Sequence, residues 1–233
     1  MKRIFVPTQT GTDWQRLLAK PKLHWKPKAS AMTCAASWEA AADSLPPEIT
    51  CLLESSREPA LMNQSLLVAI PEWQVPLPGG TTKSSTDVLA ICRNEIGLCI
   101  LGVEAKVLED FGPTLAEKRS AASAGQSERM EYLHSLLGVT RFDDAIRYQL
   151  LHRTASALLT AREFHAAAAV MLVQAFETPE SQRGDFEAFR VAMGATVVAP
   201  MVYKVPSFKG PALYLAWCDG EPNFRKVALP RAI

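Results

Sequence analysis

Two acids and a lysine interrupt two apolar segments of the chain, and their types and spacing could support hydrolytic chemistry. Asp87 lies near the start of the segment Thr86–Cys92, and Glu104 and Lys106 end the segment Leu98–Lys106. Short continuous apolar runs of this kind predict strands that are buried on both faces of a sheet. Charged groups are costly in such strands, so these three residues are candidates for a functional site.

The residues that join the two segments carry turn residues and predict a hairpin loop. If Arg93 pairs with Leu98, Asp87 falls directly opposite Glu104, and opposed side chains have Cβ atoms roughly 5 Å apart. Lys106 returns to the face of Glu104 because side chains alternate along a strand with a period of two. This register predicts that the three head groups converge, whereas a slip of one residue would turn one strand over.

A divalent cation would make such a cluster stable, because two carboxylates a few ångströms apart repel each other unless a cation lies between them. Carboxylate oxygens suit Mg²⁺ or Mn²⁺, and the backbone carbonyl of Ala105 is a further candidate ligand. Lys106 could orient or deprotonate a water molecule, or stabilise charge that builds up on a phosphate. We therefore predict that Asp87, Glu104 and Lys106 are catalytic, with Asp87, Glu104 and Ala105 as the metal ligands.

An acid after a Gly-rich turn, followed by a strand that ends in Glu-x-Lys, resembles the PD-(D/E)xK nuclease superfamily. Asp87, Glu104 and Lys106 occupy the three motif positions, while Thr86 stands where a proline often precedes the first acid. The resemblance implies a restriction-endonuclease-like three-layer core, Mg²⁺ (or Mn²⁺) as the cofactor and nucleic acid, DNA or RNA, as the substrate. Because many nucleases of this kind pair to cut two strands, it also implies a homodimer.

A second similarity covers most of the length of the chain. The segments Pro71–Gly80 and Arg147–Ala155 resemble an uncharacterised bacterial family. That resemblance brings no known activity, so it adds no role for any residue.

Further acids are candidate ligands near the proposed site. In many nucleases of the type resembled, the first core helix brings an acid to the metal, and Glu39 lies on the helix predicted from Ser30 to about Ala42. The alternative is that Glu39 is a surface glutamate on an amphipathic helix. Glu72, on the rigid connection predicted from Pro71 to Gly80, is a possible extra ligand or a solvated loop acid.

Basic and amide side chains are candidates for contact with the substrate phosphate, namely Lys83, Arg153 and Gln149. Gln149 is similar to the helix glutamine that some exonuclease-like branches place beside the metal, although Arg153 stands where those branches have a tyrosine. Arg153 suits a phosphate clamp because its guanidinium binds phosphate in a bidentate manner. The alternative for both is a solvated face of the helix predicted from Asp143 to about Arg162. Lys118 and Arg119 lie in a predicted loop, Val107 to Gln126, that could be a mobile lid or a plain connector.

The order of predicted elements is helix, three strands, helix, strand and helix, with extra elements at both ends. This order favours an α/β fold with a mixed central sheet flanked by helices, which is the order of a restriction-endonuclease-like core. We predict one domain over residues 1–233, with an N-terminal elaboration at about 1–28 and a C-terminal one at about 195–233. The first core strand is predicted from Leu66 to Ile70, and Pro46 and Pro47 are expected to end the preceding helix.

Composition limits the classes of function. The chain has 233 residues, 48% of them hydrophobic, and a net charge of +1, so nucleic acid would have to bind local basic patches. No apolar run is long enough to span a membrane, and the start lacks a signal peptide, which predicts a cytoplasmic protein with no membrane partner. Five cysteines without a C-x-x-C pair predict core thiols instead of zinc ligands, with Cys92 opposite Cys99.

Two functions of different classes are consistent with the sequence. The first is a metal-dependent nuclease, a hydrolase that uses Asp87, Glu104 and Lys106. The second is a catalytically inactive protein of the same fold that serves as a binding or assembly module. In that case the three residues would form a buried ion-pair network at the strand ends.

Overall fold

A mixed seven-stranded sheet forms the centre of the molecule in the computed structural model, which describes residues 3–4, 8, 11–120, 122–206 and 210–229. The strands lie side by side in the order β1, β2, β3, β4, β7, β6, β5. Strands β3, β4 and β7 are parallel to one another, and the pairs on either side of them are antiparallel. The strands are β1 (Ser65–Val75), β2 (Ser84–Arg93), β3 (Leu98–Lys106), β4 (Ala168–Ala175), β5 (Thr196–Ala199), β6 (Val202–Lys204) and β7 (Ala212–Asp219).

Helices cover both faces of the sheet. They are α1 (Gly11–Leu17), α2 (Pro21–His24), α3 (Ser30–Ala41), α4 (Pro47–Ser55), α5 (Leu115–Ser120), α6 (Ala124–Leu137), α7 (Tyr148–Glu163) and α8 (Glu180–Ala192), with a 3₁₀ helix at Pro222–Lys226. One core joins α1 to α4 with one face of the sheet, which we call the α3 face. The other core joins α5 to α8 with the opposite face, which we call the α7 face. These three layers confirm the predicted α/β fold with a mixed sheet flanked by helices.

The hairpin register predicted from the sequence is the one observed. Arg93 pairs with Leu98, Cys92 with Cys99, and the ladder continues to Val88 and Val103. The two cysteines are buried free thiols in the core on the α3 face. Side chains on the other face of β3, including Ile100, point toward α7.

Strand β1 extends beyond its predicted end at Ile70, through Pro71 to Val75. Pro71 is tolerated because β1 is an edge strand, where a missing N–H group need not cost a ladder hydrogen bond. Glu72 has a positive φ of 53°, an unusual value for a residue other than glycine. Because β1 continues to Val75, Glu72 lies in the sheet and not in the rigid connection that the sequence predicted.

Several helix boundaries also differ from the prediction. Pro47 begins α4 instead of ending α3, because its fixed φ suits the first turn of a helix. The segment expected to be a loop from Val107 to Gln126 contains α5 and the start of α6. Helix α7 begins at Tyr148, since the side chain of Asp143 caps a separate turn before it.

The predicted C-terminal elaboration includes a central part of the sheet. Strand β7 pairs with β4 along its whole length, from Ala212 to Asp219. Its inward residues Leu213 and Leu215 are fully buried. This segment is therefore part of the core. Among the described residues, no helix has the length and hydropathy needed to cross a membrane.

Candidate active site

Glu104 and Lys106 lie at the carboxyl end of β3, on the α7 face, and contact each other directly. The Nζ atom of Lys106 donates to Oε1 of Glu104 at 2.8 Å. Both residues are almost fully buried, with exposed fractions of 3% for Glu104 and 4% for Lys106. The predicted alternation along β3 thus brings these two head groups together on one face.

Helix α7 supplies the residues that cover this pair, because it packs closely against β3 at Gly102. A Cβ atom on Gly102 would lie 3.1 Å from the Cβ of Ala157, so a larger residue would push the helix away. Arg153 and Gln149 follow toward the helix N-terminus at spacings of four residues. The rise of four helical residues, about 6 Å, matches the rise of two strand residues, about 6.6 Å. The antiparallel helix therefore places these side chains over the strand positions after Gly102.

The observed hydrogen bonds between α7 and β3 agree with this equal spacing of helix and strand residues. Gln149 donates through Nε2 to Oε1 of Glu104 at 2.7 Å and accepts at Oε1 from Nζ of Lys106 at 3.0 Å. The Nε atom of Arg153 donates to Oε2 of Glu104 in a buried salt bridge. Both carboxylate oxygens of Glu104 are therefore engaged by side chains. The structure thus brings Gln149 and Arg153 into contact with Glu104, and their contact with a substrate phosphate stays a prediction.

Asp87 joins the site by a different contact from the one expected. Its Oδ2 accepts a hydrogen bond from the backbone N–H of Ala105 at 2.7 Å, beyond the last ladder pair at Val88. Side chains do not alternate strictly between the two faces of the sheet in this part of β2. Ser84 and Leu89 both face α7, although they are five residues apart and strict alternation would place them on opposite faces. Asp87 is thus hydrogen-bonded to the backbone of Ala105, the residue between Glu104 and Lys106. The ladder pair of Asp87 with Glu104 that the sequence predicted is not formed.

The pKa values of Glu104 and Asp87 shift in opposite directions. Burial alone would raise the pKa of Glu104, but the charges and hydrogen bonds of Arg153 and Lys106 outweigh it and lower this pKa to about 2. Burial raises the pKa of Asp87 well above its usual value, and repulsion by Glu104 and Glu72 raises it further. The site therefore stabilises the charged form of Glu104 and destabilises the charged form of Asp87.

Glu72 is the third carboxylate of this group. Its Oε2 accepts a hydrogen bond from Oγ of Ser85 at 2.8 Å. Burial raises the pKa of Glu72 to about 7 and the charge of Glu104 adds to this rise, while Ser85 and Arg153 act in the opposite direction. The group therefore contains three acidic residues, Glu72, Asp87 and Glu104, and two basic ones, Lys106 and Arg153.

We expect Glu72 to make the protein less stable as the pH rises. A carboxyl group whose folded-state pKa is raised stabilises the fold below its unfolded value of 4.5, and this stabilisation is lost as the pH rises through about 7. Its loss corresponds to at most about 3 kcal/mol, and to less where solvent reaches the group. Urea denaturation between pH 5 and 8 should show a weaker pH dependence for Glu72→Gln than for the wild type. An unchanged dependence would contradict the shifted pKa.

A cleft of about 780 Å³ opens at Lys106, whereas the carboxylates of Glu72, Asp87 and Glu104 are not among the groups that line it. Its lining includes all the predicted phosphate-contact residues, Lys83, Gln149 and Arg153. Five basic side chains line it against two acids, Glu109 and Asp110; the basic ones are Lys83, Lys106, Lys118, Arg129 and Arg153. The local basic patch that a protein of net charge +1 would need is therefore present at this cleft.

Three residues of the site were not assigned to it from the sequence. The hydroxyl of Ser84 lies 2.8 Å from Nδ1 of His152, and Arg153 donates to the same hydroxyl at 3.2 Å. Burial lowers the pKa of His152 well below its usual value, so the ring is neutral and can accept from Ser84. Phe111 lies under Lys106, with its ring centroid 5.1 Å from Nζ. Only the adjacency of His152 and Arg153 in the sequence indicated such a network.

Glu39 is not brought to the cleft. It lies on α3, where its carboxylate accepts hydrogen bonds from Nε1 of Trp14 at 2.6 Å and from the hydroxyl of Thr8. Helix α3 packs on the opposite face of the sheet from α7. The prediction of Glu39 as a metal ligand is therefore wrong in this structure, because the helix that carries it covers the other layer.

The donor set for a metal ion is small. Within the described part of the chain, no group of three or more His, Cys, Asp or Glu side chains is arranged to hold a metal. The candidate ligands are thus the carboxylates of Asp87 and Glu104 with the carbonyl of Ala105. The excess of acidic over basic residues and the destabilised charge of Asp87 suit a hard divalent cation. Such an ion would compete with Arg153 for Oε2 of Glu104.

Comparison with protein families places the whole cleft in one known domain. A family model described as "Domain of unknown function (DUF6946)" matches residues 7–222. The chain belongs to this family. The DUF6946 match contains every residue of the candidate site, from Glu72 on β1 to Arg153 on α7. Comparisons with curated proteins and with solved structures find no match.

Proposed function

We propose that this protein is a metal-dependent phosphodiesterase that hydrolyses nucleic acid, a nuclease of the PD-(D/E)xK type. The observation that carries the proposal is Lys106, which lines a basic cleft and is hydrogen-bonded to the buried Glu104, with Asp87 bonded to the backbone N–H of Ala105 between them. Carboxylates that bind a cation and a lysine beside them are the groups that phosphodiester hydrolysis needs. The basic lining would attract the phosphates of the substrate.

The roles of the residues follow from their contacts. Asp87, Glu104 and the carbonyl of Ala105 would hold Mg²⁺ or Mn²⁺, which supplies Lewis-acid stabilisation of phosphate charge and a more acidic bound water. Lys106 is oriented by Glu104 and Gln149, so its ammonium group is positioned to donate to a phosphate oxygen or to a water. Arg153, if released from Glu104, could bind a phosphate with its guanidinium group.

The second candidate function is a catalytically inactive binding or assembly module. One observation favours it: both oxygens of Glu104 already have protein partners, in Lys106, Gln149 and Arg153. In that case Arg153 would take the place of the metal permanently, and the basic cleft would bind a phosphate-containing ligand without cleaving it.

Two further assignments belong to the nuclease proposal. A cytoplasmic location is consistent with the free thiol state of all five cysteines, since disulfides are rare in a reducing compartment. A homodimer is proposed from the resemblance alone.

Cleavage and metal binding, measured together, test the function. With Mg²⁺ or Mn²⁺ the protein should cleave fluorescent DNA or RNA oligonucleotides, and EDTA should stop the reaction. Lys106→Met should lose cleavage while calorimetry still detects Mg²⁺ binding, because in this proposal Lys106 would contact the substrate and not the ion. Lys226→Met, an exposed lysine on the 3₁₀ helix, is the matched control and should keep both.

Two results would contradict the nuclease. The absence of cleavage together with the absence of Mg²⁺ binding would rule it out. Oligonucleotide binding without cleavage or metal binding would support the inactive module instead.

A further inference from the structure

The shape of the cleft limits which nucleic acid can reach the reactive groups. Lys106 is only 4% exposed and lines the cleft, so its head group is approached from inside the cleft. Glu104, which is 3% exposed, contacts Lys106 and is not itself a lining residue. A volume of about 780 Å³ falls within the range of small-ligand pockets, roughly 300–1,000 Å³. A scissile phosphate must therefore enter the cleft together with its neighbouring sugars and bases.

One wall of the cleft is the segment 77–83, which is hydrogen-bonded to Arg129 on α6. Arg129 donates through Nε to the carbonyl of Pro78 at 2.8 Å and through Nη2 to that of Leu77 at 3.2 Å. Gly79 and Gly125 bring the two backbones into contact, since a Cβ atom on Gly79 would lie 1.9 Å from the carbonyl oxygen of Gly125. Gly79 also has a φ of +77°, which disfavours any other residue. This wall is therefore held in place.

Another wall of the cleft, residues 110–113, is hydrogen-bonded to the start of α7. The carbonyl of Gly112 accepts from Nη1 of Arg147 at 2.8 Å, and that of Pro113 accepts from the backbone N–H of Tyr148 at 3.0 Å. The first wall is thus tied to α6, which packs against α7, and the second to α7, which packs on the sheet. Opening the cleft would break several of these bonds.

The lining of the entrance suits a single strand. Lys83, Lys118 and Arg129 supply positive charge, and Tyr148 supplies an aromatic ring over which Nζ of Lys118 lies at 5.1 Å. A basic groove with aromatic side chains is the usual way in which proteins bind unpaired strands. A duplex is too large to enter a cleft of about 780 Å³, because its major groove alone is about 12 Å wide.

We propose that the cleft accepts an unpaired strand, either a strand end or an unpaired segment, and excludes duplex nucleic acid. This inference names the substrate class of the proposed nuclease site and rests on that proposed function. It depends on the buried position of Glu104 and Lys106 and on the two hydrogen-bonded walls.

Binding in EDTA tests the inference without requiring cleavage. Fluorescein-labelled single-stranded octanucleotides of DNA and RNA should bind the wild-type protein at least tenfold more tightly than a blunt hairpin duplex of the same sequence. Lys118→Ala and Lys83→Ala should each weaken this binding about three- to tenfold and lower the salt dependence by about one ion. Lys226→Ala, on the opposite layer, should bind like the wild type.

The outcomes separate this inference from the nuclease proposal. A protein that binds single strands but never cuts them would contradict the nuclease and support the unpaired-strand site. Duplex binding as tight as single-strand binding, or duplex cleavage at the same rate, would overturn the inference and leave the nuclease standing. The absence of single-strand binding would also overturn the inference.

Discussion

Glu104→Gln is expected to lower the free energy of unfolding by about 3–5 kcal/mol, the cost of removing one partner of a buried ion pair. Arg153 and Lys106 would then be left buried without the carboxylate that both contact. For a protein of this size the loss corresponds to a decrease in Tm of roughly 6–20 °C. Urea and thermal denaturation measure it. Glu95→Gln, in the exposed turn between β2 and β3, is the matched control and should change stability little.

A second variant keeps this prediction testable if Glu104→Gln does not fold. Replacing both partners, as in Glu104→Gln/Arg153→Met, removes the uncompensated arginine charge and should recover part of the lost stability. The interaction energy from the double-mutant cycle should then be large, because the two residues share one network. Additive effects of the two substitutions would show that Glu104 and Arg153 do not stabilise each other.

Asp87→Asn is expected to abolish most activity without destabilising the protein. The asparagine keeps an oxygen that can accept from the backbone N–H of Ala105, so the one hydrogen bond that fixes Asp87 is retained. Loss of a metal-binding carboxylate should remove several kcal/mol of transition-state stabilisation, or roughly a 10²- to 10⁴-fold decrease in cleavage rate. Mg²⁺ binding measured by calorimetry should be lost in parallel.

The stability of this variant should also depend on pH in a defined direction. Because the folded-state pKa of Asp87 is raised, its contribution to stability is present at low pH and is lost as the pH rises. Asparagine carries no charge, so Asp87→Asn should be at least as stable as the wild type at pH 8, with a smaller difference at pH 5. A variant with normal activity but reduced stability would contradict a catalytic role and indicate that Asp87 only supports the fold.

Of these two predictions, the one for Asp87 distinguishes the two candidate functions. Glu104 has both a structural and a proposed catalytic role, so its replacement affects stability under either hypothesis. Asp87 has no cationic partner in direct hydrogen-bond contact among the bonds described above, and its charge is unfavourable in the absence of a cation. An inactive binding module would gain nothing from this charge. Asp87→Asn is therefore the more informative variant.

The hairpin that carries Glu104 and Lys106 could be predicted because the interactions that form it are local. The turn between β2 and β3 fixes the register, so Cys92 is paired with Cys99 as expected and Glu104 and Lys106 share a face. Local pattern fails where distant packing decides the conformation. Pro71 continues an edge strand, and the alternation of β2 is interrupted between Ser84 and Leu89.

The sequence by itself determined the α/β fold with a mixed sheet and the hairpin that carries Glu104 and Lys106, because periodicity and turn chemistry act over a few residues. Only the tertiary structure decided that Arg153 neutralises Glu104 and that Glu39 lies on the other layer. The first depends on how closely α7 can approach the sheet, which the glycine at position 102 permits, and the second on which face of the sheet α3 covers. Contacts between residues so far apart in the chain come from packing, and no local pattern encodes them.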